Sequence, residues 1–287
     1  MKRCLILILS AALLLCGCGG VHSEELLPET ISSTPAVTEF SAEEAQLLLK
    51  QEAQVLNDRY GVTILVGDQC YPVYSHFTAS VTTDYDQVSA ALDFLDYILD
   101  RYPEGFFRQL CGGERKSIQM HLVCDLYANN GDLQGDGYGG FSQDMLDHYL
   151  MVLDVEDLYE ELFYHEFSHI IDNHLAWDAA NRKDALFSEE KWNAHNPAWF
   201  TGYSYNYTEL PELLEDGWFV DSYAAVNPSE DRAQVMAKAM MPNYRIYFKN
   251  NQGIREKMIY YSLCIQDAFD TTGWPEVLPW EESFYQQ

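Results

Sequence analysis

The stretch from Asp154 to Asp172 constrains this chain more than any other. After Asp154 it reads Val155-Glu156-Asp157-Leu158-Tyr159-Glu160-Glu161-Leu162-Phe163-Tyr164-His165-Glu166-Phe167-Ser168-His169-Ile170-Ile171-Asp172. Asp154 has the form of an N-cap, acids crowd the first two turns, and apolar residues are frequent, which predicts a long, largely buried helix. Steps of three and four place Leu158, Leu162, His165, His169 and Asp172 on one stripe, so two imidazoles project together from adjacent turns. That spacing lets both bind one metal ion. Glu166, about 100° around the helix from His165, falls beside such an ion, where its carboxylate can take a proton from water. The other account, two core histidines one turn apart, requires a partner for every buried ring nitrogen.

Two imidazoles leave a third protein ligand to find. His174 lies about 180° around the helix from His165, with no glycine between to turn the chain back, and is expected to stand outside the ligand set. Asp172 is on the correct stripe and is expected to orient an imidazole from behind. Further on, Asn227 reads as an N-cap with Pro228 at the first helical position, so a second helix begins there with Glu230 in its first turn and Gln234 one turn later on the same face.

His165-Glu166-Phe167-Ser168-His169 through Asp172, followed by Tyr223, Asn227 and Glu230, resembles the catalytic domain of anthrax toxin lethal factor and its relatives, including secreted bacterial Pro-Pro endopeptidases. The resemblance covers the active-site half best. It implies one catalytic zinc ion held by His165, His169 and Glu230, with Glu166 as general base and Tyr223 facing the metal to stabilise an oxyanion or donate a proton. At position 234 the family has a glutamate that supports a ligand histidine; here Gln234 stands instead, a neutral group whose amide oxygen can still accept a hydrogen bond. Asp231-Arg232 likewise replaces an aromatic-rich pair. Glu209, Glu212 and Glu215 also lie beyond the second histidine, but they flank Pro211 with no cap aiming one carboxylate, whereas Glu230 is fixed by Asn227 and Pro228.

The fold expected from this reading is α+β and zincin-like: a small twisted sheet packed on helices, the His165 helix flooring a cleft and the Glu230 helix closing it. Elsewhere, Ser41-Ala42-Glu43-Glu44 has the form of a capping box opening a helix, Val62 to Val66 reads as a buried strand, and Asp84 to Arg101 as a helix. Ser117 to Leu126 alternates, with Ile118, Met120, Leu122, Cys124 and Leu126 on one face, which predicts a half-buried strand. Asn129 to Gly140 is rich in Gly, Asp and Asn but lacks the ligands of a calcium loop at Gln134 and Gln143, so it reads as a turn-rich loop. Tyr149 to Leu153 reads as a strand able to pair with an extended substrate, by analogy with the fold. Trp192, Trp199, Tyr203, Tyr205 and Tyr207 crowd the span between the two site helices, as a cleft wall or an aromatic core patch.

The N-terminal segment begins with Lys2 and Arg3, runs apolar from Leu5 to Leu15, and ends in Cys16-Gly17-Cys18, the order of a secretory signal. Leu15-Cys16-Gly17-Cys18 resembles the bacterial lipobox, which implies a leader at 1–17, a diacylglycerol anchor on Cys18, a flexible polar stalk at 18–40 and a metallopeptidase domain at 41–287, held by its lipid on the extracellular face of the membrane. Cys70, Cys111, Cys124 and Cys264 lack metal or redox spacing and are read as core thiols or disulfides. A net charge of -28, from 17 Lys plus Arg against 45 Asp plus Glu, makes nucleic acid a poor partner; it serves mainly to keep a surface protein soluble, and it would also steer a cationic peptide or protein substrate. Two competing readings remain: a non-catalytic zinc-bearing surface lipoprotein, and a solute-binding lipoprotein, which has no use for a glutamate between two ligand histidines.

Overall fold

The computed structural model describes residues 40–110, 117–129, 137–204 and 217–285. The leader, Cys18 and the stalk up to residue 39 lie outside the described residues, as do Cys111, Tyr205, Tyr207, Glu209, Glu212 and Glu215.

Helix α1 (Ala42–Tyr60) opens with the expected capping box, in which Ser41 Oγ accepts from the Glu44 N–H and the Glu44 carboxylate accepts from the Ser41 N–H. It ends at Gly61, whose left-handed backbone (φ 76°) lets its N–H reach back to the Asn57 carbonyl. Strand β1 (Thr63–Val66) follows, then β2 (Phe77–Ser80), α2 (Tyr85–Leu99, capped by Asp84), the short α3 (Phe106–Leu110) and the long strand β3 (Ser117–Ala128). Strands β4 (Gly140–Asp144) and β5 (His148–Asp154) form a hairpin. The sheet order is β1-β3-β5-β4, with β1, β3 and β5 parallel, β4 antiparallel to β5, and β2 antiparallel to β3 beyond the end of β1. The architecture is thus α+β, a small mixed sheet packed on helices.

Strand β3 departs from the half-buried strand expected of it. It lies between β1 and β5, and its middle is buried on both faces, including His121 and Val123. Ile118, Met120 and Leu122 join the main core, while Val123 and Leu126 join a smaller cluster with Tyr74, Phe141 and Val152 on the opposite face. An even-numbered and an odd-numbered residue share that second face because a bulge shifts the phase: Thr78 pairs with Tyr127 but Ser80 with Cys124, and Asp125 takes a left-handed φ of 50°. Strand β5 has both edges occupied, by β3 and β4, so it cannot add a substrate strand. Among the described residues the edge strand on that side is β4.

Helix α4 (Glu160–Asn181) begins later than the capping reading placed it. The Asp154 carboxylate is used elsewhere, accepting from the N–H groups of Leu126 and Glu156, both at 3.0 Å, which closes the end of β5 against β3. Phe163, Phe167, Ile171 and Leu175 of α4 enter the main core beneath the sheet. After α5 (Glu189–Asn193) and a 3-10 turn at Tyr223–Ala225, helix α6 (Pro228–Met240) packs against α4. Helices α7 (Arg245–Asn250), α8 (Gln252–Ala268) and α9 (Glu282–Tyr285) complete the domain. Cys70, Cys124 and Cys264 are free thiols, two of them buried.

Candidate metal centre

Helix α4 presents His165 and His169 one turn apart, with their Nε2 atoms 3.2 Å from each other. Helix α6 brings Glu230 to them. Asn227 Oδ1 accepts from the N–H groups of Ser229 and Glu230, both at 2.9 Å, and Pro228 fixes the first helical φ, so the carboxylate starts from a rigid turn. Its Oε2 lies 3.1 Å from His165 Nε2 and 3.4 Å from His169 Nε2. That oxygen is buried yet has no well-angled hydrogen-bond partner. The three donor atoms converge on one point.

Zinc fits that point. Donors about 2.0–2.1 Å from a tetrahedral ion stand roughly 3.3 Å apart, against the 3.2, 3.1 and 3.4 Å seen here. Two imidazoles and one carboxylate are also the donor chemistry of a zinc site that keeps a fourth position open. Among the described residues this is the one cluster of three or more His, Cys, Asp or Glu donors close enough to share an ion.

A solved structure shares this architecture. It is a candidate zinc-binding metallopeptidase from Bacteroides caccae, which superposes with a TM-score of 0.55 at 13% identity over 85% of this chain and 92% of that one. The likeness is one of fold, and the small mixed sheet on helices is compatible with the zincin-like class. No family model matches the sequence, and no curated protein matches it.

Glu166 follows His165 directly on α4, close enough to His169 to act on its charge, and its Oε2 accepts from Ser142 Oγ on β4 at 3.0 Å. Tyr223 is 41% exposed, its ring centroid 6.0 Å from that of His165. Burial alone would raise the Glu230 carboxyl, but the adjoining His165 and His169 outweigh it and hold the pKa at about 2. Burial lowers the pKa of His169, while Glu230, Glu166 and Asp172 raise it by more, so the net shift is upward. Metal binding therefore has to displace a proton that these carboxylates favour.

Asp172 does not touch an imidazole directly. Ser229 stands between, its Oγ 3.1 Å from His169 Nδ1 and 3.0 Å from Asp172 Oδ2. The Gln234 amide oxygen, which could accept a hydrogen bond, is buried without a partner. His174 stands apart from the cluster, buried with its ring against Phe269.

The turn that carries Asp231-Arg232 in place of aromatic residues is held by buried ion pairs. Asp231 Oδ2 accepts from Lys257 Nζ at 2.7 Å and from the Tyr203 hydroxyl at 2.8 Å, with both charged side chains fully buried. Arg232 forks onto Asp172 and also reaches Glu189. Trp192 is core, and Tyr203 is hydrogen-bonded inward to Trp192, Asn196 and Asp231, so neither forms a cleft wall; Trp199 is exposed.

Ser142, Ser229, Arg232 and Glu189 escaped the sequence reading. Ser229 had a signal, its place beside Glu230 at the start of a capped helix. The other three meet the site only through tertiary packing.

Proposed function

We propose that the chain is a zinc-dependent endopeptidase of the kind that the lethal-factor resemblance implies. The convergence of His165, His169 and Glu230 on one point, with Glu166 alongside, carries this reading. Zinc held there supplies Lewis acidity that brings the pKa of water close to neutrality and polarises a carbonyl. Glu166 then takes the proton of the attacking water as general base and passes it to the leaving amine, while the Ser142 hydroxyl fixes one carboxylate oxygen and leaves the other to work. The Tyr223 phenol, beside His165 and open to solvent, donates to the oxyanion. An extended peptide adds along the outer edge of β4, which carries Ser142 and has no other strand partner among the described residues.

In the same reading, Cys18 carries the lipid that holds the enzyme on the extracellular face of a bacterial membrane, and the acidic surface favours cationic peptide or protein substrates. The test is a diverse peptide library incubated with the purified protein and read by mass spectrometry, with and without a chelator. Chelator-sensitive internal cleavage is the expected result. Stoichiometric zinc with no cleavage of any peptide would leave the non-catalytic zinc-bearing surface protein in its place.

A further inference from the structure

We infer that Ser229 is a positioning residue that fixes the tautomer of His169. The inference rests on the reading of His169 as a metal ligand, and the proton count of one hydrogen-bonded chain supplies it. Asp172 is held by Arg232, whose Nε donates to Oδ1 at 2.5 Å and whose Nη2 donates to Oδ2 at 2.8 Å. The guanidinium is only 2% exposed, lies over the rings of Phe187 and Trp192 at 5.2 and 5.4 Å, and gives a further bond to Glu189 at 2.7 Å. With a permanent cation forked onto both of its oxygens, the Asp172 carboxylate serves as an acceptor.

The Ser229 hydroxyl has a single hydrogen. At 3.0 Å from Asp172 Oδ2 it donates that hydrogen to the carboxylate. Its oxygen, 3.1 Å from His169 Nδ1, is then left to accept, so Nδ1 carries the ring hydrogen. The lone pair of neutral His169 is thereby placed on Nε2, the atom that faces His165 and Glu230. A free imidazole prefers the opposite tautomer, with hydrogen on Nε2, which cannot ligate through that atom. Of the two neutral tautomers, the chain Arg232, Asp172, Ser229, His169 selects the ligating one.

The tautomer is read directly in metal-free, 15N-histidine-labelled protein at a pH where His169 is neutral, from long-range proton–nitrogen correlations. Wild type is expected to show His169 with hydrogen on Nδ1. Ser229→Ala is expected to move His169 to the Nε2–H form or a mixture, to leave the His165 signals and the melting temperature near wild type, and to weaken zinc binding about 10- to 100-fold. Ser229→Thr keeps the hydroxyl and should restore both readouts. An unchanged His169 spectrum in Ser229→Ala overturns the inference, as does loss of the Nδ1–H form in a folded Ser229→Thr. A wild type that binds no zinc, yet shows the tautomer and its dependence on Ser229, would sustain the relay and remove the metal-centre reading instead.

Discussion

Acidification should expose His121, the one imidazole enclosed on the far face of the sheet among the described residues. Its side chain is fully buried, Nδ1 lies 3.0 Å from the Tyr74 hydroxyl, and Nε2 has no partner. Burial, with a smaller contribution from His148, lowers its pKa from 6.5 to about 4. The unfolded chain therefore binds a proton first as pH falls. The stability that comes from keeping this ring neutral is complete above pH 6.5 and is lost progressively as pH drops toward 4. A tenfold change in proton activity is worth about 1.4 kcal/mol wherever the unfolded chain holds one proton more than the folded one, so the loss between pH 7 and pH 5 amounts to about 2 kcal/mol. The assay is urea unfolding of chelated protein at steps from pH 7.5 to 5, for wild type and His121→Phe; chelation keeps metal release out of the comparison. Breaking the Tyr74 contact shifts the variant by a constant amount, whereas the pH slope should flatten by about 2 kcal/mol over that interval. Parallel slopes for the two proteins would refute the argument.

The remaining expectations concern the site and the anchor. Glu166→Gln should keep stoichiometric zinc and lose about 100- to 10,000-fold in peptide cleavage, as measured by metal analysis and turnover on one preparation. Glu230→Ala should lose bound zinc on dialysis, where Glu215→Ala retains it; the reverse pattern would overturn the ligand assignment. Lys257→Met leaves the Asp231 carboxylate buried without its cation and should cost about 3–5 kcal/mol in denaturant unfolding; a change below about 1 kcal/mol would show that water already reaches the pair. Cys18→Ser should move the protein from the membrane fraction to the soluble fraction, and retention would count against a lipid anchor.

Periodicity and capping chemistry made much of the fold legible. Ser41 with Glu44, Asp84, and Asn227 with Pro228 each announce a helix start through a side chain that satisfies an orphan N–H, and each helix begins there. Asp154 misled for the same reason: an acid preceding an acidic helical stretch looks like a cap, but here the carboxylate is drawn into closing two strands. The alternation of Ser117 to Leu126 is real up to Leu122 and then fails at Asp125, because a bulge is decided by the partner strand. Of the candidate site, His165, Glu166 and His169 could be placed by helical spacing alone, while Tyr223, Glu230 and Gln234 needed the family resemblance. Nothing local foretells that Arg232 reaches back to Asp172, since that contact depends on how α6 packs on α4.

The buried pair of Asp231 and Lys257 ties the candidate centre to a third helix. Helix α4 alone supplies both imidazoles, so a chain that has formed only this helix offers two donors and holds an ion weakly. The third donor sits one residue before Asp231, in a turn whose buried charge is tolerable only once α8 has delivered Lys257. Closure of the donor set is therefore coupled to the packing of α8 on α6 as well as that of α6 on α4, and an ion bound there would stabilise all three helices together.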